Sequence, residues 1–587
     1  MALRPAARPV RFLPPTPRCP GRRARAAASR QGGPGAPEDA SWRWASAGFL
    51  VALVAVAWAN GLGGGFVHGD EAEIFGHPSL GRLERWGPVL AYDASRPLVA
   101  LTWAVDARLW GEDPFGYHVV NVAIHALNAV LALLVGERVF ARLGARRPLG
   151  SALAAAALWA VHPMTTEAVT HLAGRSEALA ATFCLGAVLE WLRWRREGGT
   201  FPFVLSFLAF LAAMATREVA VAVPLLLLLC EAALPGGRLG KAWPWMLPHA
   251  LVIGAVAVLR QVVHGTLTTP IWLRPLHVQV PTQAEVALRS LGLWVLPVGQ
   301  TLFHDVPPVT DPLGTRSLAA LALVGLLVVL AVRVGRRRPW VAFAAGWFGI
   351  LLLPSSSIVP LPETMAEHRT YLAGWAVCGT AGALLGSLGA RWPRVAGLLA
   401  TIGVVALGGA TWARNAVWGS EVALWQEAVR RAPESAAAWQ ALGDALRREG
   451  DPLGAEAAYR ATLRIDDDRL DAWNALGATL AEAGRSEEAR SAWLQALRRH
   501  PTSCATHDHL GWLHVRERSW DQALQAFHAT LAWCPGDVEA HYGLASIYWE
   551  PRRDPVLAAR HYQEVLSLDS AFPEASLVRE RLLSLTR

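Results

Sequence analysis

Two adjacent carboxylates, Asp70 and Glu71, stand in a polar stretch that follows an apolar segment of the chain. A positioned carboxylate can act as a general base toward a hydroxyl group, which is a poor nucleophile near neutral pH. Acidic pairs are also common in solvated loops, so the pair alone favours a catalytic role and a plain loop role about equally. We expect Asp70 to be an exposed loop carboxylate with no obvious partner in the core.

A second polar cluster begins at His162, where another apolar segment ends. Glu167, His171 and Arg175 follow at i, i+4 and i+8, so they are predicted to share one face of a helix and to form one polar wall. An interfacial network of salt bridges is the alternative. A metal site is less favoured, because this spacing lacks a second nearby histidine.

Two further charged groups lie at the ends of apolar runs. Arg217 and Glu218 stand between two such runs, and Glu367, His368 and Arg369 directly precede another. Ionisable residues at membrane depth are costly and usually serve a pathway, a partner or a ligand. Arg369 can hold a phosphate in a bidentate fork or anchor the interface, and Arg217 with Glu218 can be a structural pair.

The elements that must position these groups are membrane helices. Of the 587 residues, 53% are hydrophobic and only 17% are charged, which is low for a soluble globular protein. Apolar runs long enough to cross a bilayer recur along the chain. The predicted spans are residues 45–62, 117–136, 150–170, 177–192, 202–216, 219–235, 246–263, 317–332, 340–354, 371–389 and 394–412.

The arginines predict which side each connection occupies. Nine of them fall in residues 1–43 and account for most of the net charge of +8, so the basic balance does not indicate nucleic-acid binding. Arginine-rich connections belong in the cytoplasm. If residues 285–303 span the membrane, the 333–338 cluster falls outside and breaks this rule. If they are re-entrant or lie flat outside, every cluster is inside, and eleven spans leave the C-terminus outside.

The same topology assigns the polar, chemically rich connections to the external side. We therefore expect the active or binding face there. These connections are residues 63–116, 162–176, 216–218, 264–316 and 355–370.

A period of 34 residues appears after Gly419 and is typical of tetratricopeptide repeats. Trp439, Trp473, His507 and His541 mark successive repeats. Glycines recur four residues later in the first three repeats and predict close packing of paired helices. Residues 419–432 are predicted to be the second helix of a half-repeat, which follows the last span without a flexible linker.

Cys504 and Cys534 are predicted to lie at adjacent ends of the two antiparallel helices of one repeat. An external position would allow a disulfide between them. Two separate buried thiols are the alternative.

Several short motifs follow one another in a fixed order along the chain. They are Gly69-Asp70-Glu71, Arg96-Pro97-Leu98, Gly111–His118, His162-Pro163 with Glu167-Ala168-Val169, Arg217-Glu218, Leu353-Pro354-Ser355-Ser356, Ala366–Leu372 and Arg414-Asn415 with Trp418, Glu421 and Leu424-Trp425. This ordered set resembles the transmembrane and tetratricopeptide-repeat-containing O-mannosyltransferases and their bacterial relatives, over about residues 45–587. Arg217 stands where that family usually has lysine.

The resemblance implies an all-α protein in which a polytopic membrane domain of glycosyltransferase-C type precedes an α-solenoid. The expected domains are a disordered cytoplasmic tail (1–44), the membrane domain (45–413) and the repeats (414–587), in a bacterial inner (plasma) membrane. It further implies transfer of a sugar, expected to be mannose, from a polyprenyl phosphate to a hydroxyl outside the cytoplasm. The expected partners are this lipid-linked donor, membrane lipids and a protein or peptide acceptor near the repeats.

By this resemblance Asp70 is the general base and Glu71 supports it, with inversion at the anomeric carbon. No metal ligand is assigned, although a divalent metal stays compatible with the family. The expected donor-phosphate ligands are Arg369, Arg217, Arg175 and Arg96. The expected supporting polar residues are His162, Glu167, Glu218, Glu367 and His368.

A non-catalytic membrane scaffold whose repeats recruit partners is the alternative function. Such a protein would keep the repeats and have no need of the Asp70-Glu71 pair. Because this chain has both, an enzyme is favoured.

Overall fold

The computed structural model describes residues 37–67, 69–76, 87, 96–264, 274–304, 306–354 and 363–585. All regular structure in these ranges is helical, which confirms the predicted all-α class. The chain divides into two units, residues 1–49 and 50–587, and every contact described below lies in the second. The first helix begins at Pro37, so residues 37–44 are helical and the expectation of a disordered tail over all of 1–44 was wrong for them.

Each of the eleven predicted spans contains a helix. Proline opens several of them, because its fixed φ suits the first helical turn and its missing N–H is not needed there. The helices that precede the repeats are α1 (Pro37–Ala57), α2 (Asp70–Phe75), α3 (Pro97–Trp110), α4 (Pro114–Arg142), α5 (Pro148–Ala160), α6 (Thr166–Val169), α7 (Arg175–Glu197), α8 (Phe201–Met214), α9 (Val223–Ala233), α10 (Leu239–Ala242), α11 (Leu247–His264), α12 (Leu276–Val295), α13 (Thr315–Gly335), α14 (Pro339–Leu352), α15 (Trp375–Gly389) and α16 (Pro393–Val417).

Five helical stretches of the described residues are long and apolar enough to cross a membrane by themselves, and the number of spans stays a prediction. They are Ala40–Ala57, Pro114–Arg142, Leu239–Leu259, Thr315–Gly335 and Pro393–Val417. Shorter apolar helices, such as α5 and α15, pack against each other and against α4 to form the buried core of the membrane domain.

Helix α12 overlaps the ambiguous stretch 285–303 and is not one of these long apolar stretches. Its Gln283 side chain donates to the Thr364 carbonyl (3.3 Å), and its Trp294 ring donates to the Thr370 hydroxyl (2.8 Å). The helix therefore runs alongside the 363–370 segment, which the sequence assigned to the external face.

The C-terminal helices form the predicted array. Helix α17 is the lone second helix of the half-repeat, and four helix pairs follow it. A further helix, α26, packs on the last pair through Val578 and was not predicted. The repeat helices are α17 (Glu421–Arg431), α18 (Ala436–Arg448), α19 (Pro452–Ile465), α20 (Leu470–Glu482), α21 (Ser486–Arg499), α22 (Cys504–Arg516), α23 (Trp520–Trp533), α24 (Val538–Trp549), α25 (Pro555–Leu568) and α26 (Ala575–Leu585).

The residues that recur every 34 positions have one structural role. The side-chain ring nitrogens of Trp439, Trp473, His507 and His541 each donate to the carbonyl six residues earlier, over 2.8–3.1 Å. Each ring thereby fixes the turn that precedes its helix pair. The recurring glycines face the aromatic ring of the paired helix, where a side chain would collide, which confirms the predicted close packing.

Cys504 and Cys534 form a disulfide, with their Cα atoms 6.3 Å apart. The bridge joins the start of α22 to the residue after α23, so the predicted neighbourhood of these helix ends is confirmed. The other described cysteines, Cys184, Cys230 and Cys378, are free and buried.

Candidate active site

Asp70 is the first residue of the short helix α2, and its carboxylate is fully buried. The expectation of an exposed loop carboxylate was therefore wrong. The Val67 amide donates to Oδ2 (3.0 Å), and the Ala173 amide donates to Oδ1 (2.8 Å). These two amides, from the chain before α2 and from the turn before α7, hold the carboxylate in one orientation.

His171 supplies the third contact of this carboxylate. Its Nε2 lies 3.2 Å from Asp70 Oδ1. Burial would raise the pKa of Asp70, but the charge and hydrogen bond of His171, with the two amides, outweigh it and lower that pKa. Burial would likewise lower the pKa of His171, but Asp70 first and then Glu167 and Glu73 raise it to about 8. The pair is thus a carboxylate and an imidazolium at neutral pH.

A face of the His171 ring stacks on Trp418, with ring centroids 5.2 Å apart. Trp418 is buried and also packs with Val67 and Leu424 in one small apolar cluster. Both the imidazole and the Val67 amide that hold Asp70 therefore rest on a residue at the junction of α16 and α17.

Glu71 points away from this buried pair and is exposed. It lies with Asp70 in the wall of a cavity of about 280 Å³. The other side of this cavity is formed by Glu421 and Arg448 of the first repeat helices. Glu71 is thus open to the solvent in this cavity, whereas the Asp70 carboxylate is fully buried in its wall.

A chain of hydrogen bonds runs from Glu167 through His368 to Arg217 and ends in an ion pair between Arg217 and Glu177. Glu167 accepts hydrogen bonds from the His368 ring (2.5 Å) and the His368 amide (2.8 Å). His368 Nε2 lies 3.3 Å from Arg217 Nη2, and Arg217 Nε pairs with Glu177 at 2.9 Å. Because the charge of Glu167 also acts on His171, this chain continues the polar wall that begins at Asp70.

Arg369 lies near Arg217, close enough for the two positive charges to interact. Its guanidinium donates to the Glu363 carbonyl (2.9 Å) and carboxylate (3.2 Å), and its side chain is 12% exposed. Arg217 is similarly accessible, at 17%. The two guanidinium groups thus form a partly open cationic site beside the polar wall.

Arg96 precedes α3 and bridges two other parts of the site. Its guanidinium lies 3.6 Å from a Glu73 oxygen and 4.0 Å from a Glu218 oxygen. Glu73 belongs to α2, as Asp70 does, and Glu218 follows Arg217 in sequence. Arg96 thereby joins α2 to the Arg217 segment.

Arg175 is the most deeply buried of the predicted arginines and faces away from the cationic site. It is fully buried, and its guanidinium pairs with Asp106 (2.5 Å) and donates to Asn121 (2.6 Å) and to the Tyr117 carbonyl (3.1 Å). These contacts tie α7 to α3 and α4. The geometry is that of a structural cross-link rather than that of an accessible phosphate ligand.

The predicted continuous helix through Glu167, His171 and Arg175 was wrong. Helix α6 ends at Val169 and α7 begins at Arg175, with a turn between them. Gly174 lies so close to the Glu167 carbonyl that a side chain could not fit. This turn directs His171 toward Asp70 and Arg175 toward Asp106.

His162 and Glu367 hold loops in place around the site. The His162 ring stacks on Trp294 (4.4 Å) and bonds to the Trp294 carbonyl (3.2 Å). Glu367 is buried and accepts from Gln300 (3.1 Å), the Thr301 amide (2.9 Å) and His304 (2.9 Å). Both residues anchor α12 and the segment after it.

The sequence pattern gave no role to Glu177 or Trp418. Glu177 lies at the start of a predicted span, where an acidic residue could have signalled a partner for an arginine. Trp418 was named only as part of the family motif that begins at Arg414-Asn415, without a structural role. Among the described residues, no group of three or more histidine, cysteine, aspartate or glutamate side chains is placed to hold a metal ion. The serines of the Leu353-Pro354-Ser355-Ser356 motif lie outside the described residues.

Comparison with protein families finds the tetratricopeptide repeat, which matches residues 422–469, 441–503 and 510–576. This match confirms the predicted solenoid. Solved structures with likeness to the chain include MamA (16% identity, TM-score 0.24, 26% of this chain and 88% of that one) and the Cut9–Hcn1 assembly (15% identity, TM-score 0.26, 88% of this chain and 96% of that one).

Several known proteins that are similar to this chain in sequence share the description protein O-mannosyl-transferase. Mouse protein O-mannosyl-transferase TMTC3 is 27% identical over 513 residues, which are 76% of this chain and 54% of that protein. Protein O-mannosyl-transferase F38B6.6 of Caenorhabditis elegans is 24% identical over 71% of this chain and 62% of its own length. Drosophila melanogaster Tmtc1, with the same description, is 34% identical over 32% of this chain and 23% of its own length. The chain thus spans less than two thirds of each of these relatives.

Proposed function

The chain is a relative of the transmembrane and tetratricopeptide-repeat-containing O-mannosyltransferases, and on that basis we propose that it is a membrane glycosyltransferase acting on a protein acceptor. It takes mannose from a polyprenyl phosphate on the extracytoplasmic side and transfers it to a hydroxyl group. The observation that carries this proposal is the geometry around Asp70. A fixed carboxylate there lines a cavity, and two accessible arginines lie along the same polar wall.

The donor phosphate is bound by Arg217 and Arg369. Two neighbouring guanidinium groups repel each other, and an anion between them relieves that repulsion. Arginine also matches phosphate oxygens in a bidentate geometry. As the bond between the anomeric carbon and the phosphate oxygen breaks, negative charge grows on the phosphate, and these groups stabilise it. Arg175 supports the site by cross-linking α7 to α3 and α4, and Arg96 orients α2, the helix that carries Asp70.

Asp70 accepts the proton of the acceptor hydroxyl. Its three present contacts leave room for one more hydrogen bond, since a carboxylate has about four acceptor positions. The hydroxyl oxygen attacks the anomeric carbon from the side opposite the phosphate, so one displacement inverts the configuration. The low pKa of Asp70 suits a late proton transfer, because the hydroxyl becomes strongly acidic once its oxygen has begun to bond to carbon. Glu71 supports Asp70 from the cavity rim.

Three observations support the extracytoplasmic position of this site. The arginine-rich connections fall on the opposite side of the predicted topology. Helix α12 lies along the 363–370 segment, as expected if it does not cross the membrane. The Cys504–Cys534 disulfide is of a kind that persists in oxidising compartments.

The test is a transfer assay with the purified full chain in lipid nanodiscs. Polyprenyl-phosphate mannose with a labelled sugar is supplied together with serine- and threonine-containing peptides. We expect label on the peptide hydroxyl, and none when a nucleotide sugar replaces the lipid donor. A chain that transfers nothing from either donor, while still binding peptides, would instead support the scaffold function.

A further inference from the structure

The cavity beside Asp70 has walls from two parts of the chain that are far apart in sequence. One wall consists of Phe66, Val67, Gly69, Asp70 and Glu71. The other consists of Glu421 at the start of α17 and Arg448 at the end of α18. The first repeat helices therefore border the catalytic carboxylate directly, rather than only extending from the membrane domain.

The lining of this cavity is mainly acidic and contains one basic side chain, Arg448. Arg448 forms a bidentate ion pair with Glu421, and its charge also interacts with Glu71. His171 balances Asp70. Of the four charged lining residues, three are carboxylates, so the cavity as a whole attracts positive charge and disfavours negative charge.

The size of the cavity limits what it can hold. About 280 Å³ accommodates one or two residues of an extended chain and excludes a folded domain. Phe66 and Val67 offer an apolar surface next to the carboxylates. These dimensions suit a short segment of polypeptide that lies against residues Asp70 and Glu71.

We propose that this cavity is the acceptor subsite, built jointly by the Asp70 loop and the first repeat, and that Arg448 determines specificity there. The subsite takes an extended peptide with a serine or threonine whose neighbours are neutral or basic. The positive charge of Arg448 offsets part of the negative charge of the lining. It therefore determines how strongly the subsite disfavours an acidic residue next to the serine or threonine of the peptide. This inference rests on the proposed function, because it names where the acceptor of that reaction binds.

Two fluorescent peptides test the subsite on the full-length protein. They carry a single threonine and differ only in its neighbour, lysine in one and glutamate in the other. We expect the wild type to bind the lysine peptide more tightly, as measured by fluorescence anisotropy. Arg448→Ala should increase this preference about 25-fold, because a unit charge contributes a factor of about five at about 4 Å in water and the affinities of the two peptides change in opposite directions. Arg448→Lys should keep the wild-type ratio.

Arg447→Ala is the matched control, because Arg447 is the preceding residue, is also partly exposed and pairs with Glu482 of the next repeat. It should leave the ratio of the two affinities unchanged. A general loss of repeat structure would weaken both peptides alike and would not move the ratio.

The subsite is overturned if Arg448→Ala leaves the ratio at its wild-type value, if Arg447→Ala shifts it equally, or if neither peptide binds. Transfer from the lipid donor is measured in the same samples. Peptide binding with the expected ratio but without mannose transfer would overturn the proposed function alone. Mannose transfer with an unchanged ratio would overturn only the subsite.

Discussion

Asp70 and His171 form a buried ion pair, with His171 Nε2 3.2 Å from Asp70 Oδ1, and the face of the same imidazole stacks on Trp418. The carboxylate in the membrane domain is thus connected through one ring to the junction with the repeats. Any displacement of that junction would alter the support of Asp70. The repeat array is therefore part of the architecture of the site.

The first prediction concerns pH and this pair. The folded state raises the pKa of His171 from 6.5 to about 8, so its stabilisation is fully present below pH 6.5 and is lost as pH rises through 8. That shift corresponds to about 2 kcal/mol at most. The temperature at the midpoint of thermal unfolding should therefore decrease as the pH is raised from 6.5 to 9. His171→Gln should remove this dependence, whereas His507→Gln in the repeats should keep it. An unchanged pH profile in His171→Gln would show that the pair does not govern it.

The second prediction concerns the donor. Arg369→Ala should raise the apparent KM for polyprenyl-phosphate mannose by about tenfold or more, since a hydrogen bond to a charged group contributes roughly 1.5–3 kcal/mol. The KM for the acceptor should change little. Arg316→Ala is the control, because Arg316 is another cation of the same predicted face and pairs with Glu285. If both KM values stay at wild type in Arg369→Ala, the phosphate assignment falls to Arg217.

The third prediction concerns Cys504 and Cys534. In denatured, unreduced protein both thiols should be protected from labelling until a reductant is added. Closing a loop of about 30 residues contributes about 3 kcal/mol in the chain-entropy model, so reduction should also lower the thermal stability of the repeats. The buried free thiols Cys184, Cys230 and Cys378 serve as internal controls that label on denaturation alone. Free labelling of Cys504 and Cys534 before reduction would exclude the bridge in the cell.

The fourth prediction concerns topology. A reporter fused after Arg587 should be active only if it is of a type that functions outside the cytoplasm. A second fusion within the 333–338 connection should behave in the opposite way, because that arginine cluster is predicted to be cytoplasmic. Activity of a cytoplasm-only reporter after Arg587 would mean that residues 285–303 cross the membrane.

The repeats could be predicted in detail because their signal is periodic. In each repeat the ring nitrogen donates to the carbonyl six residues earlier. In the first three repeats the glycine four residues after that ring packs against an aromatic ring of the paired helix. Local rules of this kind need no knowledge of distant contacts. The closeness of Cys504 and Cys534 followed from them, since the two helices of a repeat are antiparallel, whereas the choice between a bridge and two separate thiols did not.

The burial of Asp70 could not be predicted in the same way. Two of the three contacts of its carboxylate come from Ala173 and His171, about one hundred residues later, and depend on a sharp turn between α6 and α7. Helical spacing across residues 167–175 suggested one helix, and only Gly174 signalled the break. The separation of Arg175 from Arg217 and Arg369 has the same origin, because the turn directs Arg175 toward Asp106.

The measurement that tests the account most directly is mannose transfer by Asp70→Asn beside Asp113→Asn. Both change one carboxylate to an amide, but Asp113 is exposed and accepts only from the Phe115 amide among the bonds seen at its side chain. Size-exclusion profiles establish that each variant is folded. We expect Asp70→Asn to lower the rate of transfer from polyprenyl-phosphate mannose by about a hundredfold or more, as loss of a general base does, and Asp113→Asn to keep the wild-type rate. Transfer by folded Asp70→Asn at a rate near wild type would contradict the account.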